Sequence, residues 1–319
     1  MTETGVRCSL MQTLIFLGLF YRHGSNMPLQ AQLYSWENEK MENNDCSGYL
    51  RVFDAHCHIY PEKIARKAAL NTGTFYGLPA YGEGTPEHLV RTSVAAGIDC
   101  MLVHSVATKP EQVKAINGFI AQTVQQDQEH FVGFGAMHPE SKDLKGDFEF
   151  LTENGLCGVK LHPDIQGIKM DSDSTRRIYE LCIQYNLPVL IHTGDSRYDN
   201  SNPDRVAVIL RDYPELKMIG AHFGGWSLPF EAAEKLHSFK NLMVDSSSTM
   251  YNHTPDEVLA LIRLFGVDRI FFGSDYPMWS PGEELQLFLQ VNLTFEERKK
   301  ILYDNAAKFL GLHKKIKAS

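Results

Sequence analysis

The chain has 319 residues, 43% of them apolar and 22% charged, a composition ordinary for a soluble globular protein and long enough for one large domain. A formal net charge of −8 repels phosphate backbones, which excludes nucleic acid as a default partner. The six cysteines contain no CxxC pair, a usage that fits free thiols in a reducing compartment better than a disulfide framework, so the cytoplasm is the expected location.

Residues 1–50 carry an apolar run, Leu10–Tyr21, that is too short to span a bilayer, and no small-x-small cleavage site follows it closely. The stretch reads as a poorly structured N-terminal extension, and no membrane association is expected. Residues 51–312 read as one domain. Residues 313–319, with Lys314, Lys315 and Lys317, read as a solvated tail.

From Arg51 onward short apolar runs alternate with amphipathic stretches, the pattern of βα units around a parallel sheet. The candidate strands are Val52–Ala55, Asp99–Val103, Phe131–Ala136, Gly158–Leu161, Pro188–Ile191, Met218–Ala221, Leu242–Asp245 and Ile270–Gly273. Eight of them predict an α/β fold of the (β/α)8 TIM-barrel type. No GxGxxG turn follows the first strand, which weakens the dinucleotide-binding open sheet as a rival. Helix starts are written as Thr85-Pro86-Glu87, Asn202-Pro203, Ser280-Pro281, and two capping boxes, Thr254 with Glu257 and Thr294 with Glu297. The last helix should run from Phe295 to Leu310 and stop at Gly311. Two connections, Asn71–Gly84 and Gly194–Asn202, are longer than packing requires and rich in aromatic residues, as loops that cover a ligand often are.

Of 13 histidines, seven fall at or just past a candidate strand end: His56, His58, His104, His138, His162, His192 and His222. In a parallel barrel these ends share one face, where active sites are built. His56 and His58 alternate along the first strand and so project to one side, with Cys57 turned away into the core. His192 ends an apolar strand, and Asp275 emerges from another, where a carboxylate needs a polar cavity or a partner. Each alone has a plain structural reading. Together, three neutral nitrogens and one carboxylate suit a divalent cation with an open position. Lys160 and His162 share a face of the fourth strand and are candidates for a second ion or for substrate, although Lys160 also fits a paired position in the barrel interior. Asp245 is placed to orient a neighbouring histidine. Arg197, Tyr198 and Trp226 are candidate substrate contacts, Arg197 as a cation for a carboxylate.

The ordered motifs FDAHCHIYP, GVKLHP, PVLIHTGD, AHFGGW, VDSSS and FFGSDYPMW resemble the amidohydrolase superfamily, especially its amidohydrolase-related branch, over about Arg51 to Leu312. That branch contains hydrolases and also non-oxidative decarboxylases similar to aminocarboxymuconate semialdehyde decarboxylase. The resemblance implies a metal on the C-terminal face of the barrel, held by His56, His58, His192 and Asp275, with His222 polarising substrate or activating water. In two-metal members a carboxylated lysine bridges the ions, and Lys160 lies near that place beside His162. One zinc is the expected cofactor, with manganese or another divalent ion as the alternative. The leading expectation is hydrolysis of a C–N or C–O bond in a small organic molecule, with Asp275 and His222 catalytic. The alternatives are non-oxidative decarboxylation of a small aromatic or unsaturated acid, and a ligand-binding barrel without catalysis. A small molecule is the expected partner, and a homodimer the commonest assembly for such a chain.

Overall fold

Nine strand segments appear in the order β1 Phe53–His58, β2 Cys100–His104, β3 Phe131–Gly133, β4 Gly135–Ala136, β5 Val159–Leu161, β6 Val189–Ile191, β7 Met218–Gly220, β8 Leu242–Asp245 and β9 Ile270–Phe271 in a computed structural model that describes residues 50–312. The expected N-terminal extension, apart from Leu50, and the C-terminal tail lie outside the described residues. β3 and β4 are two pieces of the third predicted strand, which changes neighbours at Phe134: β3 pairs with β2, and β4 pairs with β5. All neighbouring strands run parallel. Backbone bonds from Ala55 N to Phe272 O (2.8 Å) and from Asp275 N to His56 O (2.9 Å) join the last strand to the first. The ring is therefore an eight-unit TIM barrel.

The helices begin where the hydroxyl and carboxamide caps stand. Thr85, Asn202, Thr254, Ser280 and Thr294 each accept a backbone N–H of the first turn, and Glu257 and Glu297 complete reciprocal boxes. The last helix spans Phe295 to Leu310 as expected, with a π-helical turn at Lys300–Asp304 and Gly311 in the left-handed conformation. One prediction is corrected. The segment Asn71–Gly84 is not wholly a loop, because helix Glu62–Tyr76 continues through its first half.

The barrel interior is packed by Phe53, Ala55, Leu102, Phe134, Leu190, Ile219 and Phe271, to which the last helix adds Tyr303, Ala306 and Ala307. β1 contains a bulge between Asp54 and Cys57, where the register against β2 shifts. Strict alternation would put His56 and His58 on the opposite side from Phe53 and Ala55. The bulge re-aims the strand, so Ala55 stays in the core while both histidines line a cavity at the strand ends. Among the described residues no helix is long and apolar enough to cross a membrane.

Candidate metal centre

The strand ends converge on a cavity of about 590 Å³ whose inner end is formed by His56, His58, Lys160, His192, His222 and Asp275. His162 lines it as well. Three donor atoms meet there in a near-equilateral triangle: His56 Nε2 to His58 Nε2 is 3.3 Å, and each lies 3.4 Å from Asp275 Oδ1.

Second partners decide which way these atoms face. His56 Nδ1 donates to Asp245 Oδ2 at 3.0 Å, which leaves Nε2 as a lone pair aimed into the triangle. Asp245 is fully buried, and burial alone would raise its carboxyl. The neighbouring His56 and His222 and the bond from Ser247 outweigh that and hold it at about 2. Asp275 likewise feels burial upward, yet His56, His58 and His222 keep it well below the usual carboxylate range. Ser248 Oγ also donates to Asp275 Oδ2 at 2.6 Å. Burial pushes His58 and His222 down to about 4. It pushes His104, His162 and His192 well below the usual imidazole value too, so these five rings are neutral at physiological pH.

Two imidazole nitrogens, one of them the His56 Nε2 lone pair, and a carboxylate oxygen therefore crowd together at distances longer than a charged hydrogen bond. A tetrahedral ion with bonds of about 2.1 Å has donor–donor edges of about 3.4 Å, so this chemistry and spacing fit a divalent cation. Lys160 is 1% exposed, and its Nζ donates to His56 Nε2 at 3.0 Å. Burial lowers this ammonium to about 8, against the opposing pull of Asp275 and Asp245.

His192 sits slightly apart from the triangle. Its Nδ1 is 3.0 Å from His222 Nε2, and its ring stacks on His162 at 4.0 Å. His222 Nδ1 donates to Ser247 O at 2.9 Å, which makes its Nε2 a lone pair facing His192. His192 Nε2 has no hydrogen-bond partner and lies 3.7 Å from Asp164 Oδ2. When that nitrogen carries the proton, toward Asp164, two lone pairs oppose each other at the Nδ1 end. A cation resolves this conflict as well.

The backbone bears the cost of placing these groups. His222 (φ 59°), Ser248 (φ 48°) and Asp275 (φ 62°) all adopt the left-handed region that non-glycine residues avoid. Asp54 Oδ1 accepts the backbone N–H of His56 (3.2 Å) and of Ser274 (2.9 Å), tying the donor-bearing ends of β1 and the last strand together.

Three expected substrate contacts lie elsewhere. Arg197 does not line the cavity: Asp195 holds its guanidinium through both carboxylate oxygens, and Nη1 donates to Phe75 O at 2.7 Å. It is sandwiched among Phe75, Tyr76, Tyr198 and Trp226. Tyr198 stacks on Phe75 and Trp226 packs on Tyr76, so all three brace the end of helix Glu62–Tyr76 from behind. Tyr76 is the residue that reaches the site, with its hydroxyl 2.7 Å from His162 Nε2 and 3.4 Å from His192 Nδ1. Asp54, Asp164 and Ser247 were also not singled out by sequence. They are ordinary polar residues near strand ends, and only the fold reveals whom they touch.

The amidohydrolase family model matches residues 53–312. A curated relative, 2-amino-3-carboxymuconate-6-semialdehyde decarboxylase of Dictyostelium discoideum, is 24% identical over 239 residues, 62% of this chain and 66% of that protein, just under two thirds of its length. Among solved structures, an uncharacterised TIM-barrel protein from Bordetella bronchiseptica aligns with TM-score 0.68 at 20% identity, covering 82% of this chain and 99% of that one. A dihydroxybenzoic acid decarboxylase from Polaromonas, holding manganese and the inhibitor 2-nitroresorcinol, aligns with TM-score 0.65 at 17% identity, covering 83% and 98%. The 2,6-dihydroxybenzoate decarboxylase from Rhizobium gives 0.64 at 17%, covering 83% and 99%. With its barrel, its donor set at the strand ends and a family match across the whole described domain, the chain belongs to the amidohydrolase family.

Proposed function

We propose that the chain is a metal-dependent carboxy-lyase that removes carbon dioxide, without oxidation, from a small aromatic or unsaturated carboxylic acid. The observation that carries this reading is the buried ammonium of Lys160 at the inner end of the cavity, beside neutral imidazoles. It is a cation placed to receive a carboxylate, the role expected of Arg197. The relatives named above support the same chemistry, since their names describe decarboxylation of a muconate semialdehyde or of dihydroxybenzoates. They tip the balance away from the hydrolysis favoured by sequence alone.

His56, His58 and Asp275, with His192 as the fourth donor, would hold the cation. Bound there, it would supply Lewis acidity toward the oxygens of the substrate. Zinc and manganese both suit three nitrogens and a carboxylate, and a relative that carries manganese favours the latter. Lys160 orients the departing carboxylate. The bond from the carboxyl carbon breaks with its electron pair left on the substrate carbon, and the proton that carbon needs comes from solvent, taken up by the Asp275 carboxylate or the His222 Nε2 lone pair and passed on. Ser247 fixes the His222 ring so that Nε2 faces the cavity, and solvent restores the proton. Hydrolysis of a C–N or C–O bond is the second reading. It is favoured by the second donor pair, His192 and His222, which would suit a two-ion site.

The deciding experiment loads the full chain with Zn²⁺ or Mn²⁺ and offers it 2,6-dihydroxybenzoate, other aromatic and muconic acids, amides and lactones. Carbon dioxide release is the expected result. Cleavage of amides or lactones with no acid decarboxylated would replace this reading by hydrolysis. For the orienting carboxylate, Asp245→Asn is expected to weaken Zn²⁺ affinity tenfold to a hundredfold by titration calorimetry. Unchanged affinity would mean that His56 does not depend on it.

A further inference from the structure

Away from its polar end the cavity is walled by two helices that carry none of the donor residues. In helix Glu62–Tyr76, which follows β1, Ile64, Ala68 and Phe75 recur four and seven residues apart and share one face. The opposite needs of that helix are met by Ala65, Ala69 and Gly73, which are buried. In helix Val113–Gln126, which follows β2, Ala115, Ile116 and Phe119 occupy one face and line the same cavity. Ile64 is 49% exposed, and Phe75, Ile116 and Phe119 are only half-buried. Single exposed apolar side chains are commonplace, but two such rows flanking the mouth of one catalytic cavity are not.

Charge sharpens the picture. Lysine 160 is the sole Lys or Arg among the lining residues, and it lies at the inner end, whereas Glu111 and Asp275 are the lining carboxylates. Glu111 is exposed. A ligand that crosses the groove meets carbon broken by the uncharged polar side chains of Asn71, Thr72, Thr108 and Gln112, and no cation to receive a second anionic group. The volume of about 590 Å³ also suits a drug-sized ligand rather than one substituted ring alone.

We propose that the substrate is an amphiphilic acid, with its carboxyl head beside Lys160 and the donor triangle and an uncharged alkyl or aryl tail lying in the groove between helices Glu62–Tyr76 and Val113–Gln126. The position of the head rests on the carboxy-lyase reading; the tail site rests on the groove itself.

The test uses the full chain loaded with Mn²⁺ and a series of 4-n-alkyl-2,6-dihydroxybenzoates from methyl to hexyl, whose ortho hydroxyls let the ring carbon take a proton as the carboxylate leaves, with Kd measured by calorimetry and carbon dioxide release measured alongside. Affinity is expected to rise two- to fourfold per methylene until the groove is filled, the range set by burying one CH₂. A carboxyl group added at the far end of the hexyl chain should cancel the gain. Phe119→Asp should flatten the dependence on chain length, and Ile116→Asn provides the same check if the first variant folds poorly. Affinity that climbs with chain length while no carbon dioxide appears would sink the lyase reading and leave the tail site standing. A Kd that is the same from methyl to hexyl, or a slope that survives in both variants, would overturn the tail site even if every acid were decarboxylated.

Discussion

Asp275→Asn is expected to lower turnover at least a thousandfold with little change in thermal stability. Asparagine has the shape of aspartate and remains neutral, so the Ser248 hydroxyl keeps a partner, and the backbone bond from residue 275 to His56 O is untouched. The substitution also respects the backbone, since φ at this position is 62° and asparagine tolerates the left-handed region better than most residues. What is lost is the one negative charge of the triangle and the group proposed to pass a proton to the substrate. General acid–base catalysis alone contributes about 10²–10⁴ in rate, and the loss of an anionic donor to the cation adds to that. The measurements are carbon dioxide release, bound-ion stoichiometry and a circular-dichroism melt on the same preparation. A variant that holds its ion and turns over at the wild-type rate would remove Asp275 from the proton path.

The ion-free protein is expected to lose stability steeply as pH falls from about 6.5 toward 4. Five buried histidines are held neutral in the folded chain, His58 and His222 with values near 4 and His104, His162 and His192 well below the usual imidazole value. Each titrates near 6.5 once unfolded. Between those values the unfolded chain binds protons that the folded chain refuses, so the stability these groups leave intact above pH 6.5 drains away as the pH falls. Asp54, Asp164 and Glu284 act in the other direction, because burial raises the first two to about 6 and Glu284 well above its usual range, and their protonation favours the folded state as the pH falls toward 4. Five buried histidines oppose three buried carboxyls, and at about 1.4 kcal/mol per pH unit His58 and His222 alone are worth on the order of 3 kcal/mol each. A domain has only about 5–15 kcal/mol to lose. Because a divalent ion binds neutral imidazole, reloading Zn²⁺ or Mn²⁺ should move the acid transition to lower pH. Melting temperatures from pH 7.5 to 4.5, with chelator and with metal, are the check. A flat profile without metal would mean that these rings reach solvent or partners not seen here.

The barrel was legible because its signals are local and repeated. Each strand is an apolar run, each helix opens on a cap, and His56, His58, His192, His222 and Asp275 fall where parallel strands end. The aromatic segment after β1 misled for an equally physical reason. Its four glycines, Gly73, Gly77, Gly82 and Gly84, look like those of a loop, but the first two do different work. Gly73 is helical, and a Cβ there would stand 2.5 Å from Leu78 O, so glycine lets the chain fold back against its own helix. Gly77, with φ 70°, is the stop that ends that helix. Composition cannot distinguish a glycine that breaks a helix from one that allows close approach. Arg197 misled because a sequence lists charges without their partners, and Asp195 consumes this one. The bulge in β1 was invisible for a third reason: an extra residue is defined only against the neighbouring strand.

The donor triangle draws on both extremities of the barrel. His56 and His58 stand at its start and Asp275 at its close, with the Asp54 carboxylate gripping backbone from each. Such a contact spans more than two hundred residues of chain and is among the last a folding polypeptide can make. Capture of an ion by this triangle would therefore follow ring closure rather than guide it, and a ribosome-bound chain that has not yet released its final strand would have no nest for the cation. Cells supplying the metal would be supplying it to finished barrels.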